Sequence, residues 1–331
     1  MLALVTGGGG FLGQAIVRRL IDRGDRVRII QRSDAPELSA LGAECLRGDI
    51  ATASVVEQAA SGCDIIFHVA AKAGVWGPYA DFHRANVIGT ENVINACRKQ
   101  GIRQLVYTSS PSVVFDGKDE SGIDESVAYP KHYLAYYPQT KAVAEQLVLA
   151  ANSPELTTVS LRPHLIWGPG DNHLFPRLIQ RSRQGRLRRV GDGKNIVDTT
   201  YVDNAADAHL LVAAKLFPAS PVAGKAYFIS NDEPVPLWDL IDRMLTCGNA
   251  PLVTKSISAT AAYWIGGLLE LGYSAAGRRD EPPMTRFVAR QLATDHWFCL
   301  DAAKRDFGYQ PKVTIEEGLK QLAAAWTGKS I

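Results

Sequence analysis

The stretch LVTGGGGFLGQAIV, residues 4–17, runs from a short apolar segment through four glycines into an amphipathic helical pattern. Three of the glycines have the spacing GxxGxxG, which is typical of a dinucleotide-binding turn between a strand and a helix. The bare backbone of such a turn lets a pyrophosphate approach closely, and the helix N-terminus offers free N–H groups and a positive dipole. The stretch therefore predicts a cofactor-binding turn and not a hinge. The predicted cofactor residues here are Gly7, Gly10, Phe11, Leu12 and Gly13.

Strand-like and helix-like segments alternate through the first half of the chain. Short apolar runs bounded by turn residues predict buried strands, and they lie at 2–6, 26–30, 64–69, 103–108 and 156–162. Helical patterns lie between and after them, at 11–23, 52–60, 81–100 and 138–151. This alternation predicts right-handed βαβ units. The expected fold class is α/β, a Rossmann-type doubly wound parallel sheet with helices on both faces.

The regular alternation of strands and helices ends after Pro163, where a loop rich in glycine and proline begins. Further helices are expected at 173–184 and 203–216, and shorter strands at 187–190, 196–202, 225–230 and 296–300. We expect residues 1–163 to form the cofactor-binding Rossmann domain, which also receives residues 196–230. Residues 164–331 are expected to form mainly a smaller, helix-rich substrate-binding part.

The composition is that of an ordinary globular protein. Hydrophobic residues make up 46% and charged residues 21%, and a formal net charge of +2 gives no reason to expect nucleic-acid binding. The five cysteines show no CxxC pair and no spacing typical of a metal site, which favours reduced thiols in a cytosol. The chain opens directly on LALVTG, so no signal peptide is expected. A cytoplasmic protein without a metal is the prediction.

Two segments leave alternatives open. Residues 256–276 carry a single charge and two consecutive glycines, so a membrane-spanning helix is not expected. A buried or lid helix, shallow contact with a membrane, and an apolar wall of the substrate site all fit this pattern. Residues 177–189 carry six arginines, which fit a solvated helix or contact with a substrate carboxylate, a partner enzyme or an acidic membrane.

The end of the second strand indicates which cofactor is bound. An acidic side chain there normally accepts the ribose 2′-hydroxyl of NAD, but this strand ends in Gln31 and Arg32. Arg32 can pair with a 2′-phosphate through a charge-assisted hydrogen bond, so NADP(H) is favoured. NAD(H) stays open as the alternative, with Gln31 or Asp34 bonding the ribose. A third strand is expected between those at 26–30 and 64–69, and Asp49 and Ile50, which follow it, are expected to flank the adenine.

Tyr137 and Lys141 are four residues apart in a helical pattern, so they share one face of the helix. An ammonium about 4 Å from the tyrosine supplies roughly the 4 kcal/mol needed to lower a pKa of about 10 by about 3 units. We therefore expect Lys141 to lower the pKa of Tyr137, which then gives or takes a proton. Thr108 and Ser110 end the strand 103–108, where doubly wound folds place ligands, and a hydroxyl there can donate to a substrate oxygen.

These pieces together resemble the extended short-chain dehydrogenases/reductases. The branch with the greatest resemblance includes 3β-hydroxysteroid dehydrogenases and sterol-4α-carboxylate 3-dehydrogenases. The matching stretches are TGGGGFLG (6–13), HVAAKAG (68–74), NVIGTENVI (86–94), YTSSPSVVF (107–115), YYPQTKAVAEQ (136–146), LRPHLIWGPGD (161–171) and VDTTYVDNAADAH (197–209). Two later stretches, 281–298 and 307–311, are most similar to bacterial reductases that act on 2-alkyl-3-oxoalkanoates in long-chain olefin biosynthesis.

The resemblance implies a role for particular residues. It makes Ser110 the catalytic serine, Tyr137 the acid/base and Lys141 the lysine that also holds the nicotinamide ribose. The remaining positions that it places along the cofactor or near the active site are Ala70, Ala71, Asn86, Thr108, Pro163 and His164, the last two beside the carboxamide. A packed or cofactor-facing role is expected for His164, in preference to proton donation.

The implied reaction interconverts a ketone and a secondary alcohol on a hydrophobic substrate, with NADPH reducing a long-chain β-keto acid as the specific expectation. A 3β-hydroxysteroid or sterol-carboxylate dehydrogenase is the close alternative. A nucleotide-sugar epimerase and a non-catalytic NADP-binding sensor are lesser ones. Ser110 is followed by Pro111, Ser112 and Val113 and not by the acidic pair of sugar-nucleotide dehydratases. Members of the resembled family dimerise through a four-helix contact, so a homodimer through the helices at 81–100 and 138–151 is expected.

Overall fold

The computed structural model describes residues 1–326 of the chain. Its strands are β1 (Leu2–Thr6), β2 (Arg26–Gln31), β3 (Glu44–Arg47), β4 (Ile65–His68), β5 (Gln104–Thr108), β6 (Glu120–Ile123), β7 (Thr157–Pro163), β8 (Ile166–Trp167), β9 (Arg189–Val190), β10 (Ile196–Val197), β11 (Thr200–Tyr201), β12 (Ala226–Ile229), β13 (Val235–Pro236), β14 (Ser256–Ile257) and β15 (His296–Phe298).

The helices are α1 (Phe11–Asp22), α2 (Pro36–Ala40), α3 (Ala53–Ala60), α4 (Tyr79–Phe82), α5 (Gly89–Gln100), α6 (Tyr136–Ala150), α7 (Leu174–Arg183), α8 (Val202–Ala214), α9 (Leu237–Cys247), α10 (Ala259–Ala275), α11 (Arg286–Gln291), α12 (Asp301–Phe307) and α13 (Ile315–Trp326). A π-helical segment, His83–Ile88, joins α4 to α5, and a 3₁₀ turn, Pro111–Val113, follows β5.

The central sheet has seven parallel strands in the order β3-β2-β1-β4-β5-β7-β12. Alternate residues of β1 point to opposite faces, so Ala3 and Val5 pack with α1 and α8 while Leu2 and Leu4 pack with α3, α5 and α6. The Rossmann-type α/β prediction is confirmed. The order reverses between β1 and β4, so ligands are expected above their carboxyl ends.

Several predicted boundaries needed correction. The helix expected at 138–151 begins two residues earlier, so Tyr137 lies in its first turn. The helix expected at 81–100 starts at Tyr79 and contains the π-helical segment, and it ends as expected at Gly101, whose φ of +68° provides a left-handed cap. The strand expected at 196–202 is two short strands, β10 and β11.

A second sheet of four strands, in the order β13-β10-β15-β6, covers the chain's later part. Its strand β6 lies between β5 and α6 in sequence, yet it pairs in parallel with β15, from His296↔Glu120 onward. Two elements from the later part of the chain pack on the first part. Strand β12 joins the central sheet beside β7, and α8 packs on α1, with ion pairs from Arg19 to Asp203 and Asp207. A third apolar cluster, around Trp167 and Trp238, fills the later part.

The segment 256–276 is not a buried helix. It forms α10, whose inner side meets α11 through Gly266, where a Cβ would lie 2.6 Å from the carbonyl carbon of Thr285. On the opposite side Trp264, Leu268 and Leu271 are 67%, 71% and 69% exposed. No helix among residues 1–326 is both long enough and apolar enough to cross a bilayer.

Candidate active site

The glycine turn brings bare backbone to the carboxyl end of β1. Gly7 has a φ of +69° and donates its N–H to the Ile30 carbonyl at 2.8 Å, while Gly10 donates to the Gly7 carbonyl at 2.9 Å. A Cβ on Gly7 would lie 2.9 Å from the Cα of Ala70, and a Cβ on Gly13 would overlap the Gly7 carbonyl oxygen. The turn therefore accepts no side chain at these two positions, and the N-terminus of α1 stays accessible to an anion.

A buried hydrogen-bond network holds the segment that faces this turn. Thr6 Oγ1 accepts from the N–H groups of Val69 and Ala70, both at 3.1 Å, and lies 2.7 Å from Nδ1 of His68. The other ring nitrogen of His68 lies 2.9 Å from Thr90 Oγ1. Burial, together with the nearby charge of Lys141, lowers the pKa of His68 to about 3, so the ring is neutral. The sequence did not indicate that Thr6 and His68 hold this segment in place, although they lie in the matching stretches TGGGGFLG and HVAAKAG.

A cavity of about 790 Å³ extends from the glycine turn along the carboxyl ends of β1, β4, β5 and β7. Nearly all residues of the predicted site line it together: Gly7, Gly10, Phe11, Leu12, Gly13, Arg32, Asp49, Ile50, Ala70, Ala71, Thr108, Ser110, Tyr137, Lys141 and Pro163. His164 is not among the lining residues. Its Nδ1 lies 3.0 Å from Oδ1 of Asp198, and its ring packs edge-on against Phe298. The cavity is large enough for an extended dinucleotide.

At the far end of the cavity, beside β2 and β3, Gln31 turns back towards the glycine turn. Its side-chain oxygen accepts the Gly9 N–H, and its amide nitrogen donates to the Ser33 carbonyl at 2.8 Å. The exposed Arg32 is left to line the cavity. Arg84, which the sequence did not single out, also lines this end and pairs with Asp49 at 2.8 Å. The end of the cavity that would receive the adenosine is therefore cationic.

Ser110 and Lys141 are positioned by β5 and α6. The Lys141 ammonium is buried, donates to the Thr108 carbonyl at 2.6 Å and lies 4.2 Å from the ring centre of Tyr107. The same burial lowers the pKa of Lys141 to about 7, with the charge of Glu145 acting against this shift. The Ser110 hydroxyl begins the 3₁₀ turn, where it lies 2.9 Å from the Ser112 hydroxyl.

The pKa of Tyr137 contradicts the expectation from sequence. We expected Lys141 to lower it, but burial raises it, and a hydrogen bond with Ser110 only partly opposes this. Desolvation acts on both partners, because it disfavours the phenolate as well as the ammonium. In the cofactor-free protein, Tyr137 is therefore held in its protonated form at neutral pH.

Asn86 connects three parts of the site. Its side-chain oxygen accepts the Lys72 N–H at 2.7 Å, and its nitrogen donates to the Lys72 carbonyl at 3.1 Å and to Thr140 Oγ1 at 3.0 Å. It sits in the π-helical segment, a type of irregularity that is frequent at functional sites. The loop after β4 and the second turn of α6 are thereby held at a fixed distance.

A second cavity of about 520 Å³ lies next to the first. Its wall includes Tyr136, the neighbour of Tyr137, together with Trp76, Tyr273 and three arginines at 278, 279 and 286. Two of these arginines are paired, Arg278 with Asp280 and Arg286 with Glu270. The Trp76 indole donates to the Arg278 carbonyl at 3.1 Å, which joins the loop after β4 to the end of α10. Arg279 forms no ion pair with the described residues, so the cavity offers aromatic rings and one available cation to an apolar molecule that carries an acidic group.

Comparison with known proteins identifies the family. The model of the 3-beta hydroxysteroid dehydrogenase/isomerase family matches residues 4–250. The chain belongs to this family. It is therefore an NAD(P)-dependent oxidoreductase.

Among individual relatives, the chain is 54% identical to a 2-alkyl-3-oxoalkanoate reductase of Stenotrophomonas maltophilia, covering 98% of this chain and 99% of the relative. It is 36% identical to a sterol-4-alpha-carboxylate 3-dehydrogenase, decarboxylating, of Mus musculus, covering 96% and 88%. The structure of a UDP-glucose 4-epimerase from Thermotoga maritima superposes with a TM-score of 0.77 at 21% identity, covering 98% of both chains, which shows the fold alone.

Replacing Gly13 tests the glycine turn. Gly13→Ala is expected to weaken NADPH binding at least tenfold, because the new methyl group overlaps the Gly7 carbonyl and forces the turn away from the cofactor. Calorimetric titration with NADPH measures the change. Gly272→Ala is the matched control, since nothing lies within 4 Å of its added Cβ. Equal NADPH affinity in Gly13→Ala and the parent protein would contradict the assignment of the turn.

Proposed function

We propose that the protein reduces the ketone of a long-chain 2-alkyl-3-oxoalkanoate to the secondary alcohol with NADPH. The observation that carries this proposal is that Ser110, Tyr137 and Lys141 line one cavity with the glycine turn. Relatives named for this reaction, 54% and 50% identical over nearly the whole chain, support the substrate class. The aromatic second cavity, with Arg279 as its cation outside an ion pair of the described residues, suits a long-chain acid.

The state of each side chain suits reduction in particular. NADPH, when bound, supplies the hydride. Tyr137 is protonated at neutral pH because burial raises its pKa, so it can donate a proton to the oxygen of the ketone as negative charge develops there. Ser110 donates a hydrogen bond to the same oxygen. Lys141, as an ammonium, stabilises the phenolate that Tyr137 leaves behind.

The division of labour between the parts of the chain is also a proposal. Residues 1–163, with 196–230, hold the cofactor, and residues 164–331 mainly hold the substrate, the last five of these lying outside the described residues. The addition of β12 to the central sheet and the lining of the second cavity by residues 270–286 support this division. The cofactor-facing role expected of His164 gains no support, because its ring bonds Asp198 instead. The homodimer through α5 and α6 stays a prediction.

Tyr137→Phe tests the mechanism. The variant is expected to bind NADPH as the parent does and to lose at least about 100-fold in kcat, because the ketone oxygen no longer receives a proton from the phenol. NADPH oxidation is followed with a 2-alkyl-3-oxoalkanoate, a 3-ketosteroid and a nucleotide-sugar. Turnover of the ketosteroid alone would favour the steroid alternative, which the 36% identical relatives support. Unchanged turnover in the variant would exclude the mechanism.

Arg32 carries the proposed preference for NADP(H) over NAD(H). We expect Arg32→Ala to raise the Kd for NADPH at least tenfold and to leave that for NADH nearly unchanged, because a charge-assisted bond to the 2′-phosphate contributes about 1.5–3 kcal/mol. Arg18→Ala, an exposed arginine on α1, is the control. Equal losses for the two cofactors would contradict the preference.

The exposed apolar side of α10 suits a lipid surface. Trp264, Leu268 and Leu271 follow one another at helical spacing on this side, and exposed cations flank the helix at Lys255 and Arg279. An interfacial helix combines these features, with cations that meet anionic headgroups. The C-terminal end of α10 also lines the second cavity. We propose that α10 rests on the membrane and that a long-chain substrate enters the second cavity from there.

Vesicle binding tests this surface. The protein is expected to co-float with vesicles containing anionic phosphatidylglycerol, and Leu268→Glu is expected to abolish this because it places a charge in the apolar contact. Phe217→Glu, at a residue 52% exposed elsewhere, is the matched control and should still bind. Failure of the parent to bind would refute the lipid surface. Loss of self-association in Leu268→Glu, measured by sedimentation, would instead assign α10 to an interface between copies.

A further inference from the structure

Lys141 occupies a site that disfavours its charge. Its side chain is 2% exposed, its ammonium has a carbonyl as a hydrogen-bond acceptor at 2.6 Å, and burial lowers its pKa to about 7. The proposed mechanism, on which this inference rests, needs the ammonium when Tyr137 becomes a phenolate. This pKa holds with Glu145 in place, so loss of the Glu145 charge would reduce the ammonium fraction further, and with it that stabilisation.

The titratable groups around Lys141 come from three elements. His68 on β4 is neutral, because its pKa is lowered to about 3. Tyr107 on β5 has its ring against the ammonium and a pKa raised well above the usual value by burial, so it is neutral as well. Tyr137 on α6 is protonated for the same reason. Of the groups facing Lys141, Glu145 on α6 is the one that carries a negative charge.

Glu145 lies one helical turn after Lys141, in the same row of α6 as Tyr137 and Lys141. Its side chain is fully buried. Four donor contacts hold its carboxylate: Arg162 Nη2 at 2.6 Å, Arg162 Nε at 3.1 Å, Tyr129 Oη at 2.7 Å and Ser160 Oγ at 2.7 Å. Desolvation alone would raise the pKa of Glu145. The charge and hydrogen bonds of Arg162, with the hydrogen bonds of the other donors, outweigh this effect, so the pKa is below its usual value. The carboxylate is therefore a fixed anion.

We propose that Glu145 is a positioning residue that raises the fraction of Lys141 present as the ammonium, and that Arg162, Tyr129 and Ser160 fix Glu145 for this purpose. Three groups then follow one another along α6: the Tyr137 phenol at the substrate, the Lys141 cation next to it, and the Glu145 anion next to the cation. Arg162 completes the row from β7, with its own cation against the rings of Tyr129 and Phe228 at 5.7 and 5.1 Å.

The pH dependence of turnover tests the proposal. Activity that needs the Lys141 ammonium falls as pH rises through the pKa of this lysine. Glu145→Gln removes the anion and lowers that pKa, so the alkaline limb of the kcat profile is expected to move down by about one pH unit. Glu145→Asp keeps the charge and is expected to retain the position of the limb. A merely structural carboxylate would lower kcat or Tm in Glu145→Gln without moving the limb.

Glu145→Gln alone leaves the buried Arg162 without its counterion, which can prevent folding. The double variant Glu145→Gln/Arg162→Met removes both charges, and replacements of this kind are often tolerated. The double variant is expected to show the same displaced limb. Glu125→Gln is the matched control, since its carboxylate accepts the Phe228 N–H at 2.8 Å and lies near Arg162, but it belongs to the turn after β6 and not to α6. Its limb should not move.

Titration of Lys141 by carbon NMR of its labelled ε-methylene needs no substrate and separates this inference from the proposed reaction. In the cofactor-free protein, the Lys141 midpoint is expected near 7 and about one unit lower in the double variant. An unmoved midpoint would overturn the role of Glu145, whatever the enzyme reduces. A moved midpoint in a protein that reduces no oxoalkanoate would support Glu145 and count against the proposed substrate.

Discussion

The hydrogen bond from the Lys141 ammonium to the Thr108 carbonyl fixes the geometry of the site. It joins the middle of α6 to the last residue of β5 at 2.6 Å, in surroundings from which water is excluded. A buried cation without such a partner would lose more free energy than the helix gains by packing. Since Tyr137 and Ser110 are attached to the same two elements, this bond also sets the phenol beside the serine. The positions of the candidate catalytic groups are thus set by β5 and α6 and depend less on the connecting loops.

The cofactor end depends on the absence of side chains. The glycine turn approaches Ala70 so closely that a Cβ on Gly7 would meet its backbone, and Thr6 holds Ala70 in place through its N–H. The same hydroxyl bonds His68, so one buried threonine connects β1 to β4 at the point where the strand order reverses. A phosphate-binding turn needs this stiffness, because a flexible glycine loop would lose on ordering much of the free energy that binding provides.

The sequence was most informative where a local pattern is repeated in the fold. Apolar runs and glycine ends predicted six of the seven strands of the central sheet with their bounds, β3 being the exception, and the lining of the first cavity follows from the carboxyl ends of these strands. Contacts between distant segments left no such pattern. The pairing of β6 with β15 depends on strands 176 residues apart. His164 turns to Asp198, the residue after β10, whose buried carboxylate also accepts the Phe298 N–H of β15. The exposure of Trp264 was equally hidden, since an apolar helix looks the same in sequence whether protein or solvent covers it.

Burial explains why the sequence misjudged Tyr137. A Coulomb estimate from a lysine four residues away treats the pair as if solvent screened both partners alike, and it predicts a lowered pKa for the phenol. In the folded chain, desolvation raises the pKa of Tyr137 and lowers that of Lys141. Both shifts favour the neutral phenol at rest. They also favour the ion pair over an isolated phenolate once the proton has left, because attraction between opposite charges grows as the dielectric constant falls. Burial therefore makes Tyr137 a ready proton donor only while the lysine beside it stays charged.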